Sequence, residues 1–135
     1  MAGKPILTLE DAKRIAAAAQ AEALRNDWRV VIAVVDDGGH LMYLQRSHGT
    51  QFGSIETATQ KARAAVAFQR PTKVSEDAVL SGRLIHLALP GVIPAEGGVP
   101  LQIDSVVVGG LGISGVRSSQ DGQIAAAGLA ALTGD

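Results

Sequence analysis

Glu96 stands out among the residues of this chain that could do chemistry, because it sits inside Pro94-Ala95-Glu96-Gly97-Gly98-Val99-Pro100. Prolines and glycines on both sides fix the backbone, so the carboxylate is positioned to act as a general base or as a hydrogen-bond acceptor. A second glycine-dense segment, Gly109-Gly110-Leu111-Gly112-Ile113-Ser114-Gly115, follows after an apolar stretch that breaks at Asp104-Ser105. Two such turns meeting in space would leave a hollow where backbone N–H groups and one acid face a small ligand. In a catalytic version, Gly97-Gly98 or Ser114-Gly115 would donate to an oxyanion, each donor being worth roughly 3–4 kcal/mol. Arg46 or Lys61 would then receive a substrate carboxylate.

Each of these residues also has an ordinary reading. Lys61 lies one step off the Ala58–Ala62–Ala65 stripe, where a lysine either snorkels to the surface or flanks a pocket. Asp121 is most simply a cap for the last helix. Haem or metal ligation would fall to His40, His48, His86, Met42 or Tyr43, the available types that serve as axial ligands. His40 follows Asp36-Asp37-Gly38-Gly39 directly, which places it at a strand end, either as a solvated turn residue or as a ligand. His48 sits in a polar loop, and His86 suits a helix C-terminus. No two of these share a tight ligand spacing, so a dedicated zinc or iron site is not expected. Gly110-Leu111-Gly112-Ile113-Ser114-Gly115 matches G-x-G-x-x-G, yet the residues after it leave no room for the second parallel strand of a dinucleotide fold. No Ser-His-Asp arrangement or G-x-S-x-G elbow occurs.

Composition narrows the classes further. A chain of 135 residues forms one domain that buries roughly two-thirds of its unfolded surface. Aromatic residues are limited to Trp28, Tyr43, Phe52 and Phe68, and the net charge is −1. That combination argues against nucleic acid, which asks for stacking surface and clustered cations. There is no cysteine, which excludes disulfides and a covalently attached c-type haem. No apolar run of about 20 residues and no signal peptide appear, so a cytoplasmic protein without a membrane partner is expected.

The elements that must position these residues read as follows. Thr8 and Asp11 form a capping box before Leu9, Ala12, Ala16, Ala19 and Ala23, a helix ending near Asn26-Asp27. Val30 to Val35 is a β-branched run suited to a central strand covered on both faces. The Asp36-Asp37-Gly38-Gly39 turn leads into a second strand at Leu41 to Leu44. Ser54 caps a helix with the stripe Ile55, Ala58, Ala62, Ala65 and Val66, stopped by Pro71, and Ser75 opens a shorter one. Val92-Ile93 pairs briefly, Leu101–Ile103 and Val106–Val108 form a hairpin, and Ser118 starts a terminal helix. Hairpins without crossovers imply an antiparallel sheet flanked by helices, the α+β class. Alanine-rich helix faces further favour self-association.

Four blocks in register resemble the GlcG/HbpS family: Ile32-Ala33-Val34-Val35-Asp36 with Gly38-Gly39-His40-Leu41; Lys61-Ala62; Gly91 to Pro100; and Gly112-Ile113-Ser114-Gly115 with Asp121 behind it. The similarity runs from about Leu7 to Leu132. It implies a profilin-like α+β fold with a five-stranded antiparallel sheet, assembly into homo-oligomers, and an association with haem or degraded haem in some members. In others it implies corrinoid-linked or glycolate-type metabolism. Carried onto this chain, the resemblance makes Glu96-Gly97-Gly98 and Ser114-Gly115 walls of a pocket, with His40 and Lys61 beside it. Asp104-Ser105 departs from the Asp-Gly expected in the last hairpin, and the turn type there is expected to differ. Two readings result. One is a binder of haem or a related tetrapyrrole, with ligand contacts at His40, Arg46, Gly97, Gly98, Ser114 and Gly115. The other is a cofactor-independent hydrolase, lyase or isomerase on a small carboxylate or aldehyde, with Glu96 and Lys61 as catalytic residues. A third class, a purely structural or regulatory partner, would leave the cleft empty of any ordered ligand.

Overall fold

Thr8 opens the first helix as its spacing predicts. Its hydroxyl accepts from the Asp11 N–H and the Asp11 carboxylate accepts from the Thr8 N–H, both at 3.0 Å. This closed capping box starts α1 (Leu9–Arg25), whose alanine face (Ala12, Ala16, Ala19, Ala23) is buried with Ile15. The computed structural model describes residues 3–133. After α1 come β1 (Val31–Asp36), β2 (Leu41–Arg46), α2 (Gly53–Phe68) and α3 (Lys73–Leu80). A 3₁₀ turn (Leu84–Leu87), β3 (Gly98–Ile103), β4 (Val106–Ser114) and α4 (Ser118–Thr133) complete the chain.

The strands form one antiparallel sheet in the order β2-β1-β4-β3. The class is α+β, but the sheet has four strands among the described residues, not five. Val92-Ile93 does not join it, because the Val92 N–H donates to the Leu89 carbonyl and the Ile93 carbonyl accepts from Ala95. Local turns have consumed the groups a ladder would use. The second helix also starts differently from expectation. It has no side-chain cap, and Ser54 is buried, its hydroxyl accepting from Gln51.

Gly109 to Ser114 is a strand, not a turn. Glycine normally weakens a strand, and the neighbours explain its use here. On one face of the sheet, α2 lies with its backbone against the strands. A Cβ at Gly112 would come within 2.0 Å of the Ala58 carbonyl oxygen, one at Gly110 within 2.3 Å of Ala62 O, and one at Gly98 within 2.4 Å of Lys61 O. On the other face, Leu111 and Ile113 join Val30, Ile32, Val34, Ile15 and Ile124 in the main core under α1 and α4. The G-x-G pattern is thus a seat for a helix. The β3–β4 turn has positive φ at both Asp104 (51°) and Ser105 (66°). That is the signature of a type I′ turn, so serine occupies the left-handed position that glycine usually fills.

Candidate functional site

The two glycine segments do converge. Gly97 O accepts from Ile113 N at 2.9 Å, and Gly98 pairs with Gly112 across the ladder. The space between them is filled by the protein itself. Lys61 is 2% exposed, and its Nζ donates to the Ile113 carbonyl at 2.9 Å and to Asp121 Oδ2 at 3.1 Å. Gly97 (φ 133°) takes a form that disfavours side chains, and a Cβ there would lie 3.0 Å from both Lys61 Nζ and Asp121 Cβ. Lys61 is therefore neither a snorkelling surface residue nor the edge of an open hollow. Asp121 does serve the start of α4, since its Oδ1 accepts from the Val116 N–H. Burial, opposed by Lys61 and by that N–H, pushes its carboxyl up to about 6.

Glu96 lies over α4, with its carboxylate filling the space a Gly122 side chain would need. Burial, reinforced by Glu76 and Asp77 and opposed by Lys73 and Lys61, pushes its carboxyl upward. The donors that the sequence places beside it are committed elsewhere. Gly98 N–H donates to Thr72 Oγ1 at 2.9 Å, and Arg46 donates to the Thr50 carbonyl. Arg46 is also remote, because β2 and β3 are opposite edges of the sheet, separated by three strand spacings or about 14 Å. Ser114 is buried and Gly115 half-buried at the end of β4.

His40 sits at the far end of the sheet. Ser114 pairs with Val31, whereas the turn holding His40 follows Asp36, about 17 Å along β1. Asp36 organises that turn. Its Oδ1 accepts from the N–H groups of Gly38 and His40, each at 2.9 Å, and lies 3.1 Å from His40 Nδ1. Burial works against the Asp36 carboxylate, but these hydrogen bonds outweigh it and hold its carboxyl below the ordinary value. The His40 side chain is 80% exposed. Nε2 has no partner among the described residues.

Two clefts flank this turn. The larger, of about 410 Å³, runs between the turn and α2 and is lined by Asp37, Gly39, Gln60, Arg63, Ala67 and Gly91 among others. The smaller, of about 220 Å³, is walled by Ile6, Leu7, Met42 and Val108, with Asp36 and Asp37 at its edge. Sequence reasoning named His40 here but missed Arg63. The signal was available, since Gln60, Arg63, Ala64 and Ala67 repeat at helical spacing on α2 beside the buried stripe. Of the remaining histidines, His86 is buried against Ser75 (Nδ1 to Oγ 3.2 Å), and the His48 backbone carbonyl accepts from Arg29. Among the described residues no group of three or more histidine or carboxylate side chains is placed to hold a metal ion, and no helix is long and apolar enough to cross a membrane.

The model of a family described as haem-degrading protein HbpS-like matches residues 7–130. The chain belongs to the HbpS-like family. Protein GlcG of Escherichia coli K12 is 41% identical over 114 residues, which cover 84% of this chain and 85% of GlcG. A crystal structure of a PduOC–haem complex aligns with a TM-score of 0.83 at 33% identity, covering 94% of this chain and 95% of that one. The crystal structure of HbpS aligns with a TM-score of 0.86 at 32% identity, covering 100% and 95%. The HbpS-like match thus spans every element from α1 to most of α4.

Proposed function

We propose that this chain binds haem or a related tetrapyrrole at the β1–β2 turn and acts as a homo-oligomer. His40 carries the reading. A metal-bound histidine usually has its other ring nitrogen hydrogen-bonded to a carboxylate, which fixes the ring and its tautomer. Asp36 supplies that carboxylate 3.1 Å from Nδ1, which leaves Nε2 facing outward as the coordinating atom. The apolar wall of Leu7, Met42 and Val108 suits the face of a macrocycle. The complex of the related PduOC with haem supports the same ligand class at family level. Haem, when bound, would bring an iron centre; the chain's own part is to coordinate it through His40 and shield one side from water.

Titration of the purified protein with haemin tests this. A Soret shift saturating at a fixed stoichiometry is expected, and His40→Ala should abolish the ligand-dependent part of it. A wild-type spectrum that changes no more than that of a non-binding control protein overturns the reading. A full shift retained by His40→Ala removes His40 as the ligand.

Self-association is supported by the segment 74–89, where Val74, Leu80, Leu84, Ile85, Leu87 and Leu89 are each more than a third exposed. Six large apolar side chains within sixteen residues make an unusual load of exposed surface for a monomer. A second copy of the chain is the occupant that this reading assigns to it. The enzyme alternative is weaker: Glu96 keeps its raised affinity for a proton, but Gly98 N–H and Arg46 are already occupied by Thr72 and Thr50.

A further inference from the structure

Asp27 holds a backbone conformation that glycine would hold more easily. The Trp28 N–H donates to the Ala23 carbonyl at 2.9 Å and the Asp27 N–H to the Leu24 carbonyl at 3.1 Å. These paired bonds close a helix through one left-handed residue, usually glycine. Here that residue is Asp27 (φ 56°). A negative charge just past a helix C-terminus also opposes the helix dipole, so the end of α1 does not itself call for an aspartate. The residue is exposed, and its carboxylate has no hydrogen-bond or ion-pair partner among the described residues.

Two residues on, Arg29 is held in place. Its Nη1 donates to the His48 carbonyl at 2.8 Å. The side chain lies along Gly49 (φ 86°), with Nη1 and Cδ 3.0 and 3.5 Å from where a Cβ would stand. Among the described residues the other guanidinium N–H groups have no partner, and Arg29 does not pair with Asp27. A fixed anion and a fixed cation thus stand side by side, each without a counter-charge.

Both residues line the same two clefts. The first, of about 340 Å³, lies where the α1–β1, β2–α2 and β4–α4 connections meet, and it adds Gly49, Thr50 and Gly115. Thr50 is 6% exposed. Its Oγ1 is the one buried side-chain oxygen or nitrogen without a hydrogen-bond partner among the described residues. Such an orphan is costly, and in a cleft wall a ligand can satisfy it. The second cleft, of about 260 Å³, shares Asp27, Trp28 and Arg29 with the first and adds Leu24, which is 67% exposed. Trp28 packs against the main core, so its ring is a fixed apolar surface.

We infer that this corner binds a free amino acid with an apolar side chain. Asp27 takes the ammonium, Arg29 and the Thr50 hydroxyl take the carboxylate, and the side chain rests on Trp28 and Leu24. A zwitterion supplies both missing counter-charges at once, and a guanidinium presents paired donors that match a carboxylate. The first cleft alone falls within the usual size of a small-ligand site, about 300–1,000 Å³. The corner precedes β1 whereas His40 follows it, so this inference stands apart from the haem reading.

Trp28 is the only tryptophan of the chain, and its fluorescence therefore reports this corner directly. The probes are L-leucine, 4-methylpentanoate (leucine without its amine) and 3-methylbutylamine (leucine without its carboxylate). A saturable change with L-leucine is expected, with binding about three- to tenfold tighter than for either analogue, the range of one exposed charged contact. Asp27→Gly is expected to unfold at the same temperature or higher, since glycine suits that position, and to bind leucine no better than 4-methylpentanoate. Arg29→Gln should lose the advantage of leucine over 3-methylbutylamine. Thr50→Val should keep wild-type thermal stability and bind leucine more weakly. No saturable change with L-leucine overturns the assignment, as does equal binding of leucine and 4-methylpentanoate by the wild type. An advantage over 4-methylpentanoate that survives Asp27→Gly, or a clearly less stable Asp27→Gly protein, overturns the role of Asp27 and the zwitterion with it.

Discussion

Lys61 and Asp121 show how a single residue pair can serve the fold rather than the ligand. An ion pair this deeply buried is costly to desolvate, and removing one member leaves the other uncompensated, at about 3–5 kcal/mol. The carboxyl of Asp121 is raised from 3.8 to about 6 in the folded protein. The native state therefore holds a proton that the unfolded chain has released, and stability from this group falls as pH rises between about 4 and 6. Lys61→Met removes the opposing charge and pushes the carboxyl higher still. Its deficit is expected to be several kcal/mol at pH 8 and smaller at pH 5, as measured by urea unfolding at the two pH values. A deficit that is equal at both, or larger at pH 5, would show that Asp121 is not the group left unpaired. Asp36 behaves in the opposite sense: its carboxyl is held low by the N–H groups of Gly38 and His40, so its contribution is present at neutral pH and is lost in acid.

At the scale of elements, the contact between α2 and the sheet depends on glycine. Gly112→Ala would bring a methyl group within 2.0 Å of the Ala58 carbonyl oxygen. Backbone must move, because no flexible side chain can give way. The expected loss is about 1–3 kcal/mol, toward the upper end, in thermal or denaturant unfolding. Gly53→Ala is the control. It lies at the start of the same helix with nothing within 4 Å, and there alanine should leave stability unchanged or raise it by up to about 1 kcal/mol. The capping box of α1, the buried run of β1 and the alanine stripe of α2 were all legible, because local periodicity and capping chemistry determine them. Gly109 to Ser114 read as a turn because glycine favours turns in isolation. Only the helix lying across it makes the small residue necessary within a strand.

For the molecule as a whole, the apolar segment from Val74 to Leu89 is the feature most at odds with a lone monomer. A stable interface buries about 800 Å² per partner, and its centre is built from residues of this kind. Leu84→Glu with Leu87→Glu, two residues that are each 62% exposed, should leave the fold intact. It should lower the mass measured by light scattering to that of one chain. An unchanged assembly would place the interface elsewhere, and a monomeric wild type would remove the proposal. At the same scale, the expected pocket residues separate into different parts of the fold. Lys61, Gly97, Gly98 and Ser114 form a packed junction, Arg46 stands at the opposite sheet edge, and His40 lies at the far end of β1.

The sequence by itself determined the class, the family and the order of the elements apart from the strand expected at Val92-Ile93, since these follow from local pattern and from motifs in register. It also singled out His40, Lys61 and Glu96 as candidates. It could not determine which of them share a site. Distances between elements depend on the strand order β2-β1-β4-β3 and on which face each helix covers, and neither is a local property. Tertiary structure alone decided that Lys61 turns inward to Asp121, that the hollow between the glycine segments is filled, and that the Asp36 carboxylate orients the His40 ring. The physical reason is that burial and pairing are set by long-range packing, whereas spacing along the chain reports only neighbours in the same element.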